Sequence, residues 1–360
     1  MHTSRAFPRT SRRTERHRSS RLRLGVGISA VSLVLAACGS GEGDESAGDD
    51  GGGEVMSTLA VGVDSENFMT NMPLYVGQEK GFFAEFGIEN VEVTVTGDQF
   101  VSALISDSVD ISHWATLDWF AAGEASGEEL RFMGTLRDNE LLQLGVRPGI
   151  ESPEDLRGGQ VTAGPAGSAN EANLRFVLGE IGLSEDDVEI VPTNPGSDAW
   201  LAAVLGEQLD GAMLFARHIA PLEDAGGSFL YQDLRAAPQD GFVTTEAFLS
   251  ENEATAQAFL AGLIKTKQWY SDPANKDEVL QIMADNGFDT TELERSYEPE
   301  LGQQSPDAGF ELEDMEAMVE RAVEGEQVPS GTDWTKYVDL DVLWAAQEDA
   351  GVDRRPAEGP

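Results

Sequence analysis

From Leu59 onward, short runs of β-branched and aliphatic residues alternate with segments of helical period, and that alternation leaves few folds open. Strands that hand over to helices and return build α/β layers with mostly parallel sheets. The pattern predicts strands at Leu59 to Val63, Val91 to Thr96, Asp110 to Ser112 and Arg131 to Leu136, with helices at Pro73 to Lys80, Gln99 to Ser106 and Leu117 to Glu124. A strand at Leu141 to Val146 leads into a second α/β unit. Its strands are Gln160 to Ala163, Val188 to Pro192, Asp210 to Phe215 and Phe229 to Tyr231, separated by helices near Ala169 to Ile181, Asp198 to Leu205 and Ile219 to Ala225. Gly241 to Thr245 then returns to the first unit, and Glu251 to Tyr270, Asn275 to Asn286 and Glu311 to Val323 follow as helices. Two crossings between two α/β lobes describe a hinged binding protein, with ligand at the carboxyl ends of the strands.

Two helix starts are written into the chain. Pro73 suits a first helical position, and Gly81 can take the left-handed conformation that ends the helix. Ser152-Pro153-Glu154-Asp155 combines a cap, a proline and an acid at the third position, which is a local start signal.

Met72 to Ile88, reading MPLYVGQEKGFFAEFGI, resembles the P-L-Y-V-A-x-E-x-G-F-F segment of the SsuA/THI5-like (NMT1-like) substrate-binding proteins of ABC importers. The resemblance continues through Ala103-Leu104-Ile105-Ser106-Asp107-Ser108-Val109-Asp110, where Asp107 or Ser108 stands in place of the usual glycine. It runs on through Ser152 to Gly158 and Gly182 to Val188, and covers roughly residues 58 to 290. It implies a type II periplasmic-binding-protein fold: lobe I from 58–146 and 243–360, lobe II from 147–242, and a ligand cleft between them. It also implies a solute delivered to ABC permease subunits by lobe closure, by a protein acting as a monomer. Ligands of the family include alkanesulfonates, taurine, nitrate, thiamine-precursor pyrimidines and riboflavin.

The first 37 residues differ in composition from the rest. Eight arginines precede the apolar run Leu24 to Ala37, which is too short to span a bilayer unaided and has the pattern of a removable export signal. Leu35-Ala36-Ala37-Cys38 resembles a bacterial lipobox, so Cys38 is expected to carry a lipid anchor on the extracytoplasmic face of the membrane. It is the one cysteine of the chain, so no internal disulfide can form. Residues 38–57 form an acidic, glycine-rich linker, with a typical span of about 25 Å for such a chain. Beyond residue 37 there are 16 basic and 64 acidic side chains, a balance of −48. A surface that negative repels nucleic acid and anionic headgroups.

Candidate ligand residues lie in the loops after the strands. Glu66, Asn67 and Phe68 bring a carboxylate, an amide and a ring to one turn. Asp98 and Gln99 follow the second strand, where Asp98 can cap the next helix or touch ligand. Trp114 and Thr116 follow the third, Trp114 offering a stacking wall for a flat ligand. Neighbouring His113 has no metal partners at ligand spacing, and no metal site is expected. In the second unit Gly167, Ser168 and Ala169 open a helix, Ser168 and Glu171 matching a capping box at a place suited to an anion or a carbonyl. Asn194, Phe215 and Arg217 complete the rim, with Arg217 able to pair an oxyanion or to sit in a surface ion pair. Glu66, Asp98 and Trp114 lean toward a planar nitrogenous ring, whereas the Ser168 turn and Arg217 lean toward an oxyanion, and the ring is slightly favoured.

No G-x-S-x-G or H-E-x-x-H motif occurs. The resemblance brings in pyrimidine synthases that use a pyridoxal cofactor and a cysteine-rich iron motif, for which one cysteine does not suffice. The expectation is therefore a non-enzymatic binding protein without a cofactor. An extracellular sensory or adhesion protein of the same fold is the alternative, and a THI5-like synthase a lesser one.

Overall fold

The computed structural model describes residues 53–360 apart from 66–67, 128, 195 and 325–327. The export signal, Cys38 and most of the linker lie outside the described residues, as do Glu66 and Asn67. The described end of the linker has neither helix nor strand, yet Val55 packs on the core and the Met56 amide donates to Thr255 Oγ1 at 3.0 Å.

In chain order the elements are β1 (Thr58–Val63), α1 (Phe68–Lys80), β2 (Asn90–Val95), α2 (Phe100–Ile105), β3 (Ile111–Ala115), α3 (Thr116–Ser126) and β4 (Leu130–Val146). They continue with β5 (Gln160–Thr162), α4 (Ala169–Glu180), β6 (Glu189–Ile190), α5 (Ser197–Leu205), β7 (Gly211–Met213), α6 (Ile219–Asp224) and β8 (Ser228–Thr245). Five helices close the chain: α7 (Glu246–Tyr270), α8 (Lys276–Asp285), α9 (Thr291–Leu301), α10 (Leu312–Glu324) and α11 (Leu340–Ala350). The strands form one sheet in the order β2-β1-β3-β8-β4-β7-β5-β6. β1 runs parallel to β2 and β3, and β5 parallel to β6 and β7, so each half is a parallel α/β layer. The halves are joined by the long antiparallel pair β4–β8.

That pair supplies the two expected crossings, each longer than the sequence predicts. Arg131 to Leu136 and Leu141 to Val146 are one strand, and so are Phe229 to Tyr231 and Gly241 to Thr245. Register shifts between Phe132 and Asn139 let the ribbon bend without breaking. Gly241 has a specific reason to be glycine, since a Cβ there would strike the Gly134 carbonyl and the Phe132 ring. The core around Leu59, Phe132, Phe242 and Phe259 lies on one side of the ribbon's midpoint, and a core around Leu144, Val161 and Leu174 on the other.

Helix α1 begins five residues earlier than Pro73 suggests. Pro73 sits inside the helix, where it supplies no N–H to the preceding turn. The added turn brings Phe68, Met69 and Met72 onto Tyr270, Met283 and Tyr297, and this apolar contact outweighs the local preference of the proline. Gly81 ends the helix at φ +75°, as its place in the sequence predicts.

The cap of α4 is partly rearranged. Ser168 Oγ accepts the Glu171 amide at 3.3 Å, but the Glu171 carboxylate reaches back to the Gly167 amide at 2.7 Å instead of to Ser168. Ser168→Ala is expected to lower the unfolding free energy by about 1 kcal/mol. Urea titration of both proteins would show it, and an unchanged midpoint would mean the cap contributes nothing.

Candidate functional site

Where the loops of the two halves meet over the ribbon, the described residues enclose two cavities. Adjacent residues of a strand point to opposite faces, and Glu140 lines one cavity while Leu141 lines the other. The ribbon therefore forms a wall between them.

The larger cavity, about 800 Å³, lies between the start of α3, the start of α4 and one face of α10. Gly167, Ser168 and Ala169 line it. Thr116 is fully buried between two residues that line it, Ala115 and Leu117, and its hydroxyl has no hydrogen-bond partner among the described residues. The ribbon contributes a cross-strand pair, Glu140 and Arg235. Arg235 Nη2 donates to Glu140 and to Asn173 Oδ1 (2.7 Å), while Asn173 Nδ2 donates to Glu140 Oε1 (2.7 Å). Arg235 also lies 5.3 Å from the centre of the Phe176 ring. Opposite stands Arg321 of α10, which has no ion pair among the described residues. Burial and the neighbouring Arg235 guanidinium hold its pKa below the ordinary arginine value.

The second cavity, about 560 Å³, lies between the start of α1, the turn after β7 and α9. Phe68, Phe215 and Arg217 line it. Arg217 is tied to Asp198 (3.3 Å) and Ser197 Oγ (2.6 Å), so it does sit in an ion pair, yet it still faces the cavity.

Asp98, Gln99, Trp114 and Asn194 line neither cavity. Trp114 stacks on Phe100 at 4.7 Å and its indole N–H donates to Asp118 Oδ2 at 3.0 Å, so its ring face is already covered by protein. Asp98 is exposed inside a 3-10 turn, and the cap position of α2 is Gln99, without a side-chain hydrogen bond.

The sequence does not signal the charged chain beneath the cleft. His113, buried on β3, lies 3.6 Å from Asp64 and 3.5 Å from Asp240, and Asp240 accepts from Arg137 Nε at 2.7 Å. Burial alone would push the His113 imidazole down, but Asp240 and Asp64 hold it above its ordinary value. Burial would likewise raise the Asp240 carboxyl, but Arg137 and His113 hold it far below the usual carboxylate range. Among the described residues no cluster of three or more metal-ligating side chains occurs, and no helix is long and apolar enough to cross a membrane.

Two parallel α/β halves joined by a two-strand ribbon, with a cleft over it, define a periplasmic-binding-protein fold. Solved structures share it. The periplasmic sulfonate-binding protein SsuA from Methylobacillus flagellatus KT matches with a TM-score of 0.63 at 17% identity, over 82% of this chain and 95% of that one. The periplasmic nitrate-binding protein NrtA from Synechocystis PCC 6803 matches with a TM-score of 0.60 at 17% identity, over 85% and 93%. The sequence also matches the NMT1/THI5 like family over residues 69–276, more than half the chain, and the protein belongs to that family. A relative from Brucella abortus (strain 2308), provisionally named a binding protein, is 23% identical over 220 residues, which is 58% of this chain and 65% of the relative. The desulfurization enzyme DszB shares the fold as well, with a TM-score of 0.60 at 15% identity over 81% of this chain and 99% of that one. Fold alone thus does not separate binder from enzyme, and the separation rests on the site.

Proposed function

We propose that this chain is an extracytoplasmic solute-binding protein of an ABC importer, held to the membrane by lipid on Cys38, which captures a small oxyanion-bearing solute in the larger cavity. The observation that carries the choice of solute is Arg321. It is an exposed guanidinium that lines the cavity opposite Arg235, with no ion pair of its own among the described residues. Two cations turned toward one space favour an anion between them.

The turn before α4 is less suited to the charged end of the solute than its sequence suggests, because the Glu171 carboxylate already occupies the Gly167 amide. The planar-ring alternative draws on Trp114 and Asp98, which do not reach the cavity, and on Glu66. The names of SsuA and NrtA, a sulfonate binder and a nitrate binder, agree with an oxyanion. Walls from both halves of the fold let closure bind the solute better than the open state does, and that difference is all the mechanism needs. Relatives and neighbours named as binding proteins support a carrier that hands its solute to the permease.

Thermal-shift and calorimetric titration with ethanesulfonate, taurine and nitrate, against a pyrimidine and riboflavin, tests this reading. A true solute at a hundredfold its Kd adds about 2.7 kcal/mol of stability. Arg321→Gln is expected to weaken oxyanion binding at least about tenfold. A response to the pyrimidine or riboflavin that Arg321→Gln leaves unchanged would instead establish the planar-ring reading.

A further inference from the structure

We propose that the second cavity is a separate ligand site for a planar aromatic anion, with the ring against Phe68, Phe215 and Phe288 and the negative group on Arg137 and Arg217.

Three aromatic side chains edge this space. Phe68 and Phe288 meet edge to face, with centroids 6.2 Å apart and planes at 79°. Phe215 is 37% exposed, a large ring that lines the cavity and is not buried by the fold. About 560 Å³ falls within the usual size of small-molecule sites. Apolar faces alone would suit any greasy body, but the polar groups narrow the choice.

Arg137 uses Nε and Nη2 on Asp240, and Arg217 uses Nε and Nη2 on Asp198 and Ser197. Each keeps Nη1 without a hydrogen bond among the described residues, on a guanidinium whose position is fixed by its other contacts. That is the arrangement in which arginine holds an oxyanion with little loss of rotamer freedom. Glu300, on α9, also lines the cavity, and burial raises its carboxyl against the pull of both arginines. Its Oε2 accepts from Gln303 Nε2 at 3.1 Å. The other acid on the wall, Asp289, is exposed and accepts the Thr291 amide at 3.0 Å, so it offers little to a cation.

The site is independent of the larger cavity, because the ribbon separates them and they share no lining residue. Helix α9 walls it on the far side and is anchored at both ends of the fold. Tyr297 donates to the Tyr270 carbonyl at 2.7 Å, and Arg295 pairs with Asp224 on α6.

Calorimetry of the full-length chain with benzoate tests the proposal, with benzamide as the neutral analogue and cyclohexanecarboxylate as the non-planar one. Saturable benzoate binding is expected, weaker for both analogues by about tenfold or more. Arg217→Gln and Phe215→Leu should each weaken benzoate about tenfold while keeping the wild-type thermal midpoint and the response to ethanesulfonate. Arg321→Gln should leave benzoate binding unchanged. Absence of benzoate binding, equal binding of benzamide, or a loss of benzoate binding in Arg321→Gln would each overturn the proposal. The ethanesulfonate response reads the larger cavity separately, so the two readings fail separately.

Discussion

Asp240→Asn is expected to destabilise the protein by about 3 kcal/mol, the lower end of what removing one partner of a buried ion pair does. Asp240 is 2% exposed and is the hinge of the chain that links His113 to Arg137. Asparagine keeps the volume and removes the charge, so His113 and Arg137 would face each other across a neutral group. Arg137 is 34% exposed and can shed part of its penalty into water, which is why the lower end applies. The effect should depend on pH. His113 has a folded-state pKa above its ordinary 6.5, so its contribution is complete below pH 6.5 and is lost as pH rises through the folded value. Asp240 is held below its ordinary 3.8, so its contribution is present above pH 3.8 and is lost as pH falls. The difference between wild type and variant should therefore be widest between these limits and shrink toward alkaline pH. Urea unfolding at several pH values measures it. A difference under about 1 kcal/mol throughout would show that the chain of charges relaxes into solvent.

This network also marks the limit of what sequence reveals here. The parallel halves were legible because β-branched runs alternate with helical period from Leu59 to Met213, and Gly81 and Ser168 act locally where they stand. The unity of β4 and β8 was not legible. Register shifts near Arg137 and Pro238 interrupt the alternation, so each long strand looks like two short ones. Helix α9 was missed because Glu and Pro299 dominate it, leaving only Leu293, Tyr297 and Leu301 as an apolar stripe four residues apart. Helix α11 carried readable signals, an Asp339 side chain capping Val342 and Gly351 at φ +74°, and stood beyond the last helix that was assigned.

The site divides along the same line. Ser168 and its neighbours follow from a strand-loop-helix pattern, and that pattern places them on the larger cavity. Trp114 lies off both cavities, with Phe100, fourteen residues earlier, covering its ring, and nothing in the sequence signals that cover. Arg235 and Arg321 were invisible for the converse reason. One sits in the middle of a strand and the other on a helix from the far end of the chain, and only the fold brings them to face one cavity.

Deprotonation of a single buried lysine should contribute about 2 kcal/mol of stability between pH 7 and pH 9.5. Lys267 of α7 is 1% exposed, and its ammonium donates to the Thr135 and Leu136 carbonyls at 3.2 and 3.0 Å, where β4 bends into the ribbon. Burial pushes its pKa down from 10.5 to about 8, against the attraction of Asp138, Asp307 and Asp240. The sign follows from which state holds the proton. The unfolded chain keeps it up to about 10.5 while the folded protein releases it near 8, so between these values the unfolded state binds more protons and stability climbs with pH. Tyr270 and Tyr297, both raised above their ordinary value of 10.0, act in the opposite direction and only at higher pH. Measurements up to pH 9.5 stay below the tyrosines, and the loss from His113 is common to both proteins, so the difference in slope between wild type and Lys267→Met isolates the lysine. Lys267→Met should flatten the rise. At pH 7 the variant gains the relief of a buried charge and loses two carbonyl hydrogen bonds, of which Leu136 keeps one from the Ser305 amide. Those effects are of similar size and opposite sign, so the slope decides and the absolute stability does not. Equal slopes in wild type and Lys267→Met would show that this ammonium stays hydrated through the bend of β4, and that the ribbon opens to water there.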